Sequence, residues 1–214
     1  MNGTDVLERV TRALATIDFE AAPQACRAAV DAGCSPKEVV DALSRGMDII
    51  GQKFEAREYF LSELIMAGEI FREAQEIIRP YLTTDDVMVP GKVVIGTVEG
   101  DLHDIGKNIV ITLLRAEGFE VTDLGINTPA TAFIDAVRRV KPDVVGLSAL
   151  LRATVPQMGV VINELEKTGL RDQVTVIVGG LPLNEDYAKQ LNADYYAKDA
   201  WLGVKIIKRA VGST

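Results

Sequence analysis

The chain has 214 residues, 48% of them apolar and 25% charged, with a formal net charge of −8. This supports one domain or two small ones with a real core, and argues against disorder and against nucleic acid as the main partner. No apolar run reaches the ~18 residues of a membrane span, and MNGTDVLERV carries no basic, apolar export signal, so a cytoplasmic protein with no membrane partner is expected.

Residues 1–86 carry 9 basic and 16 acidic side chains, whereas residues 87–214 carry 14 and 15. The first part reads as all helix. Val6, Val10 and Leu14 form an apolar stripe at spacing four, with Leu7 beside it. A second helix is expected from near Asp18 to Gly33, with Pro23 in its first turn. Ser35-Pro36-Lys37-Glu38 has the form of a capping box with proline at the first helical position. Val39, Leu43, Met47 and Ile50 supply the apolar face of that third helix, and a fourth runs from Leu61 to Arg79 and stops at Pro80. Four helices with short connections predict a bundle over residues 1–82. Cys26 and Cys34 are too few for a disulfide framework and read as small buried residues.

Polar Thr83 to Asp86 and then Pro90-Gly91 place a linker at residues 83–91. From 92 to 214 strand and helix alternate. Strands are expected at 93–98, 119–122, 144–148, 174–178 and 194–197, and helices at 107–117, 131–140, 156–167, 185–191 and 199–210. This pattern predicts a doubly wound, five-stranded parallel sheet of Rossmann-like, flavodoxin-like order. Ligands of such sheets bind beyond the carboxyl ends of the strands, here the loops at 99–106, 148–154 and 179–184.

The first loop lacks the spacing of a phosphate-binding P-loop. Gly100 and Gly106 frame it, but Asn108 stands where a magnesium-binding hydroxyl belongs, and the dinucleotide G-x-G-x-x-G fingerprint is absent as well. What it does hold is Asp101-x-His103-x-x-Gly106. A carboxylate two residues from a histidine can fix the ring tautomer and leave the second nitrogen free for a metal or a proton. A His103 that merely caps the next helix fits this loop equally well. His103 is also the only histidine, so a zinc site rich in histidine and cysteine, with its three or four protein ligands, is excluded. A metal bound there would bring most of its ligands along, as a macrocycle does. Alternatively Glu99, Asp101 and Asp104 would hold a hard cation, or form the acidic pocket of a phospho-receiver. Ser148 and Thr154 offer hydroxyls in the second loop, and Gly179-Gly180 permits close backbone approach in the third.

D-x-H-x-x-G, S-x-L and G-G at the ends of strands one, three and four resemble the cobalamin-binding domain of methionine synthase. The segment from Lys53 to Leu64 resembles that family's helical cap, and Gly180-Leu181-Pro182 and Asn192 to Ala200 extend the likeness over nearly the whole chain. With no further domain in it, the chain is similar to the stand-alone corrinoid proteins of methyltransferase systems for methylamines, methanol, betaines or methoxylated aromatics.

The resemblance implies a cobalamin bound with its own base displaced and His103 as the lower axial ligand of cobalt. Asp101 would accept the other ring N–H, and Thr154 would supply the hydroxyl that completes the relay. Relatives often carry threonines through 152–154; here Arg152-Ala153-Thr154 leaves one hydroxyl, and Arg152 would meet a cofactor amide or a partner. Asp104, Gly106, Ser148, Leu150, Gly179 and Gly180 would hold the cofactor and its nucleotide tail. Phe60, Met66 and Ile70 would shield the reactive face, with plain bundle core as the competing assignment. The implied activity is methyl carriage from a substrate-specific methyltransferase to an acceptor methyltransferase that uses tetrahydrofolate or a thiol. A reductive activase would be a third partner. The alternatives are a cobalamin-dependent sensor, which usually carries a helix-turn-helix domain, and the cobalamin-binding part of a mutase. A phospho-receiver would need an aspartate where Ser148 stands.

Overall fold

The computed structural model describes residues 3–81 and 90–212. Two compact units divide the chain, residues 1–88 and 89–214. Apart from Pro90 and Gly91, the expected linker at 83–91 lies outside the described residues. No helix among the described residues is long and apolar enough to cross a membrane.

The first unit holds α1 (Gly3–Ala15), α2 (Ala21–Asp31), α3 (Pro36–Glu55) and α4 (Leu61–Ile78), followed by a 3-10 turn at Arg79–Tyr81. Helix α1 packs on α2 and α3, and both of these pack on α4. The stripe of Val6, Val10 and Leu14 is buried together with Val39, Leu43, Met47 and Ile50 of α3 and Leu64, Ile70 and Phe71 of α4. Helix α2 starts at Ala21, three residues later than expected, because Asp18 Oδ1 accepts the amides of Glu20 at 3.1 Å and Ala21 at 2.8 Å and so ends the preceding turn. Cys26 is buried, which pushes its thiol up to about 12, and Cys34 is half-buried.

Two carboxylates fasten the helix starts of this unit. Glu38 Oε2 accepts both the amide and the hydroxyl of Ser35 at 2.8 Å, and Ser35 caps α3 in return. Glu63 Oε2 accepts the Phe60 amide at 2.8 Å and the Ser62 hydroxyl at 2.9 Å. These bonds, the backbone amides of Ser35 and Phe60 foremost, hold both carboxyls below the usual range. A depressed folded-state pKa adds stability above the unfolded value of about 4.3, lost as the pH falls through the lowered one. The double variant Glu38→Ala, Glu63→Ala is therefore expected to melt below the parent at pH 7 and to converge with it in acid, followed by circular dichroism. A gap of equal size at pH 2 would mean that these carboxylates do not act through charge.

In the second unit β1 (Lys92–Thr97), β2 (Glu120–Asp123), β3 (Val144–Ser148), β4 (Thr175–Gly179) and β5 (Tyr195–Ala197) form a parallel sheet in the order β2-β1-β3-β4-β5. The flavodoxin-like expectation therefore holds. Helices α5 (Ile105–Ala116), α6 (Ala130–Val140), α7 (Val155–Lys167), α8 (Glu185–Gln190) and α9 (Ala200–Ala210) connect the strands and close the unit. Period-two alternation sends Val94, Val145, Leu147, Val176 and Val178 to the face covered by α6 and α7. Ile95, Gly146 and Ile177 face the opposite side, toward α5 and α9. Helices pack on both faces, which is why the middle residues of β1, β3 and β4 are apolar rather than alternating, with polar Lys92, Thr97, Ser148 and Thr175 at the strand ends.

Three strands sit one residue from their expected positions. Val98 leaves β1 and makes an isolated bridge to Thr128, β2 begins at Glu120, and Gly179 stays inside β4, paired with both Ser148 and Ala197. Thr97, Ser148 and Gly179 thus lie in one row across β1, β3 and β4. The three expected loops spring from that row.

Candidate functional site

Asp101 is the centre of the loop after β1. Its side chain is 0% exposed and accepts five hydrogen bonds. Oδ1 takes the His103 amide at 3.1 Å and His103 Nδ1 at 2.7 Å. Oδ2 takes the amides of Leu150 at 2.8 Å and Leu151 at 3.1 Å, and the Thr154 hydroxyl at 2.7 Å. Burial pushes the Asp101 carboxyl up, but the bonds from Thr154, His103 and Leu150 outweigh it and hold it far below the usual carboxylate range. An ionised carboxylate only accepts, so Nδ1 of His103 carries the ring proton. Nε2 of the neutral ring then keeps a lone pair. The His103 main chain is held as well, because Thr97 Oγ1 donates to its carbonyl at 2.9 Å.

His103 is 49% exposed and lies on the wall of a cavity of about 470 Å³ between α5, α9 and the sheet. Asp104, Gly106, Ser148, Leu150, Gly179 and Gly180 line it too. The floor is Ile95, Gly146 and Ile177, on the sheet face that α5 and α9 only partly cover. Thr154 is buried behind Asp101 and does not reach the cavity. Gly180 has φ +142°, and a Cβ there would fall 1.8 Å from the Ala149 carbonyl oxygen, so only glycine lets the third loop close on the second. Leu102, Ile105 and Leu181 stand exposed at the same cavity, Leu181 by 86%.

Phe60 and Met66 belong to the helical unit, at the start of α4. Phe60 is 68% and Met66 38% exposed, so neither is bundle core, whereas Ile70 is fully buried and does belong to the core.

Residues 91–205 match the family model described as B12 binding domain, and residues 6–79 match a second model of that description. The chain belongs to the B12-binding family. It is 34% identical over 213 residues to the trimethylamine corrinoid protein of Methanosarcina barkeri, covering 98% of each chain. Among solved structures it is similar to a cobalamin-binding protein from Desulfitobacterium hafniense DCB-2, at 38% identity and a TM-score of 0.84, over 95% of this chain and 98% of that one. The methanol:cobalamin methyltransferase complex MtaBC from Methanosarcina barkeri matches at 29% identity and a TM-score of 0.82, over 98% of this chain and 81% of that one. Cobalamin or a related corrinoid is the cofactor of this B12-binding protein.

The residues present fit such a group. No cluster of three or more His, Cys, Asp or Glu side chains suited to a metal ion occurs among the described residues. The acidic hard-cation site considered from the sequence is thus not assembled, and a metal at His103 must bring its other ligands. The cavity falls within the range of cofactor pockets. Exposed Leu102, Ile105 and Leu181 offer apolar contact to a large macrocycle.

Three features of this site of the B12-binding unit escaped the sequence reading. The Leu150 and Leu151 amides bind Asp101, a role that no side chain announces. Lys107 resembles a solvent lysine in the sequence, yet its side chain is 1% exposed, lines the cavity, and pairs with Asp123 at 2.8 Å and Asn108 at 2.7 Å. The apolar residues Leu102 and Ile105 between polar neighbours were a usable signal, since large exposed side chains in a loop mark contact surfaces.

Proposed function

We propose that this B12-binding protein carries methyl groups between methyltransferases, with its corrinoid bound base-off and His103 as the lower ligand. When bound, the corrinoid supplies a cobalt centre that takes up a methyl group and gives it away. His103 offers Nε2 to the metal. Asp101 fixes the tautomer from the other side of the ring, and Thr154 and the two leucine amides keep that carboxylate charged and immobile. Gly106, Ser148, Leu150, Gly179 and Gly180 hold the nucleotide tail along the cavity, with Asp104 at its edge. Phe60 and Met66, exposed on the helical unit, would offer apolar surface to the cofactor. The relatives named for trimethylamine and for a methanol:cobalamin methyltransferase complex support a substrate-specific methyltransferase as the first partner. An acceptor methyltransferase using tetrahydrofolate or a thiol, and a reductive activase, complete the cycle.

The observation that carries this reading is the Asp101–His103 contact of 2.7 Å on the wall of the cavity, backed by Thr154. Cobalamin is added to the purified chain, the excess removed, and the cobalt(II) state examined by absorption and electron spin resonance. The expected spectrum shows nitrogen splitting from the imidazole, which disappears in His103→Ala. Failure to retain any corrinoid, or a splitting indifferent to His103→Ala, would overturn the reading.

A further inference from the structure

Asn127 lies 24 residues beyond His103, in the loop after β2, and nothing in the family motifs points to it. It takes up a left-handed backbone with φ +51°. From there it grips the Asp101 loop twice. Its side-chain oxygen accepts the Gly100 amide at 2.7 Å, and its own amide donates to the Asp101 carbonyl at 2.9 Å. Asp101 donates its amide to the Val98 carbonyl at 3.1 Å. The peptides on both sides of the Asp101 Cα are therefore fixed, one by Val98 and one by the Asn127 amide, and the Asn127 side chain fixes the next peptide back, between Glu99 and Gly100.

The loop that carries Asn127 is itself anchored. Thr128 donates its amide to Thr97, Thr97 donates to Gly125, and Asp123 takes the Gly125 amide at 2.9 Å and buried Lys107 at 2.8 Å. Asparagine suits this place for two reasons. It tolerates left-handed backbone better than other residues with a Cβ, and its amide oxygen reaches the Gly100 N–H.

We infer that Asn127 is a positioning residue for the cofactor ligand: by clamping the peptides around Asp101 it aims that carboxylate at Nδ1 and so sets the His103 tautomer. The inference rests on the proposed ligation for its use, but its geometry concerns the protein alone. A metal-ligating histidine depends on the group behind its second nitrogen, and loss of such support typically costs ~10–100-fold in affinity or activity. Asn127 acts one step further out, so about tenfold is expected.

The test exploits the single histidine. In protein labelled with 15N-histidine, the ring signals report one residue, and the tautomer is read directly with the ring neutral and no cofactor bound. The parent is expected to be mainly Nδ1-protonated. Asn127→Gly keeps the backbone conformation and the N–H bond but removes the side-chain acceptor, and should raise the Nε2-protonated share. Asn127→Asp restores an acceptor at the same place and should return the parental balance. Thermal melts of both variants confirm folding, and glycine at a left-handed position costs the backbone nothing. With cobalamin added, Asn127→Gly should bind about tenfold more weakly and show weakened nitrogen splitting. An unchanged tautomer balance in Asn127→Gly overturns the inference. So does an equal shift in Asn127→Asp, or a parent ring that is not mainly Nδ1-protonated. A parent lacking nitrogen splitting overturns the ligation proposal instead, and the tautomer measurement still decides the role of Asn127.

Discussion

Asp101→Asn is expected to abolish the nitrogen splitting of the bound cobalt(II) corrinoid although His103 is still present. The reason is the arrangement of donors around Asp101. Three of them, the Leu150 and Leu151 amides and the Thr154 hydroxyl, meet Oδ2, and two from His103 meet Oδ1. An asparagine has one acceptor oxygen and one NH2 group. Its oxygen serves the three donors best, which turns the NH2 toward His103. The ring then accepts at Nδ1 and carries its proton at Nε2, the atom needed for the metal. Corrinoid affinity should fall ~10–100-fold. The fold should lose about 1–3 kcal/mol, because the His103 amide is left facing a donor in a buried site. Denaturant unfolding of the apoprotein and spin resonance of the loaded protein read the two effects separately. Nitrogen splitting at full strength in Asp101→Asn would show that the carboxylate does not govern the tautomer.

Gly180→Ala should be the most damaging single methyl in the α/β unit. The new Cβ would sit 1.8 Å from the Ala149 carbonyl oxygen, on backbone with φ +142°. Neither group is a flexible side-chain end, so the loops after β3 and β4 must part. Backbone strain of about 1–3 kcal/mol and overpacking of similar size give a loss of about 2–6 kcal/mol. Gly106→Ala is the contrast. A Cβ at 106 meets nothing within 4 Å, and the residue lies in the first turn of α5. Alanine there should leave folding intact or improve it by up to about 1 kcal/mol, yet residue 106 lines the cavity proposed for the nucleotide tail, so corrinoid binding should weaken. Equal thermal stability of Gly180→Ala and the parent would refute the steric account.

Much of the fold was legible because its signals are local. Ser35-Pro36 and Glu38 form a helix start by short-range hydrogen bonds alone, and they do so in the structure. The unbroken apolar runs of β1, β3 and β4 announce strands covered on both faces. Strand boundaries were legible to about a residue, since pairing across the sheet decides them. Gly179 reads as a strand end in the sequence, but its neighbours Ser148 and Ala197 keep it in the ladder.

The candidate site divides in the same way. Asp101 and His103 are two residues apart, and their contact follows from spacing. Thr154 entered through the family resemblance, because 53 residues separate it from Asp101 and only the row of strand ends brings them together. Asn127 and the leucine amides had no signal at all. The leucine amides act through the backbone, which a side-chain motif cannot encode, and the Asn127 side chain meets Gly100 across 27 positions that only the fold brings together. Phe60, Met66 and Ile70 recur along one helix, and the sequence did not separate core from surface among them. Burial of Ile70 and exposure of the other two makes that separation.

The saturation of Asp101 has a consequence for traffic at the histidine. A carboxylate offers about four lone-pair sites, and this one already serves five donors with none of its surface exposed. Nδ1 is therefore committed to Asp101, and Nε2 is the ring nitrogen left with a lone pair. A proton and a metal compete for that one lone pair, so occupancy by either excludes the other. Under the proposed ligation, coupling to proton uptake needs no moving part: it is single-seat occupancy, enforced by a residue outside the cavity lining.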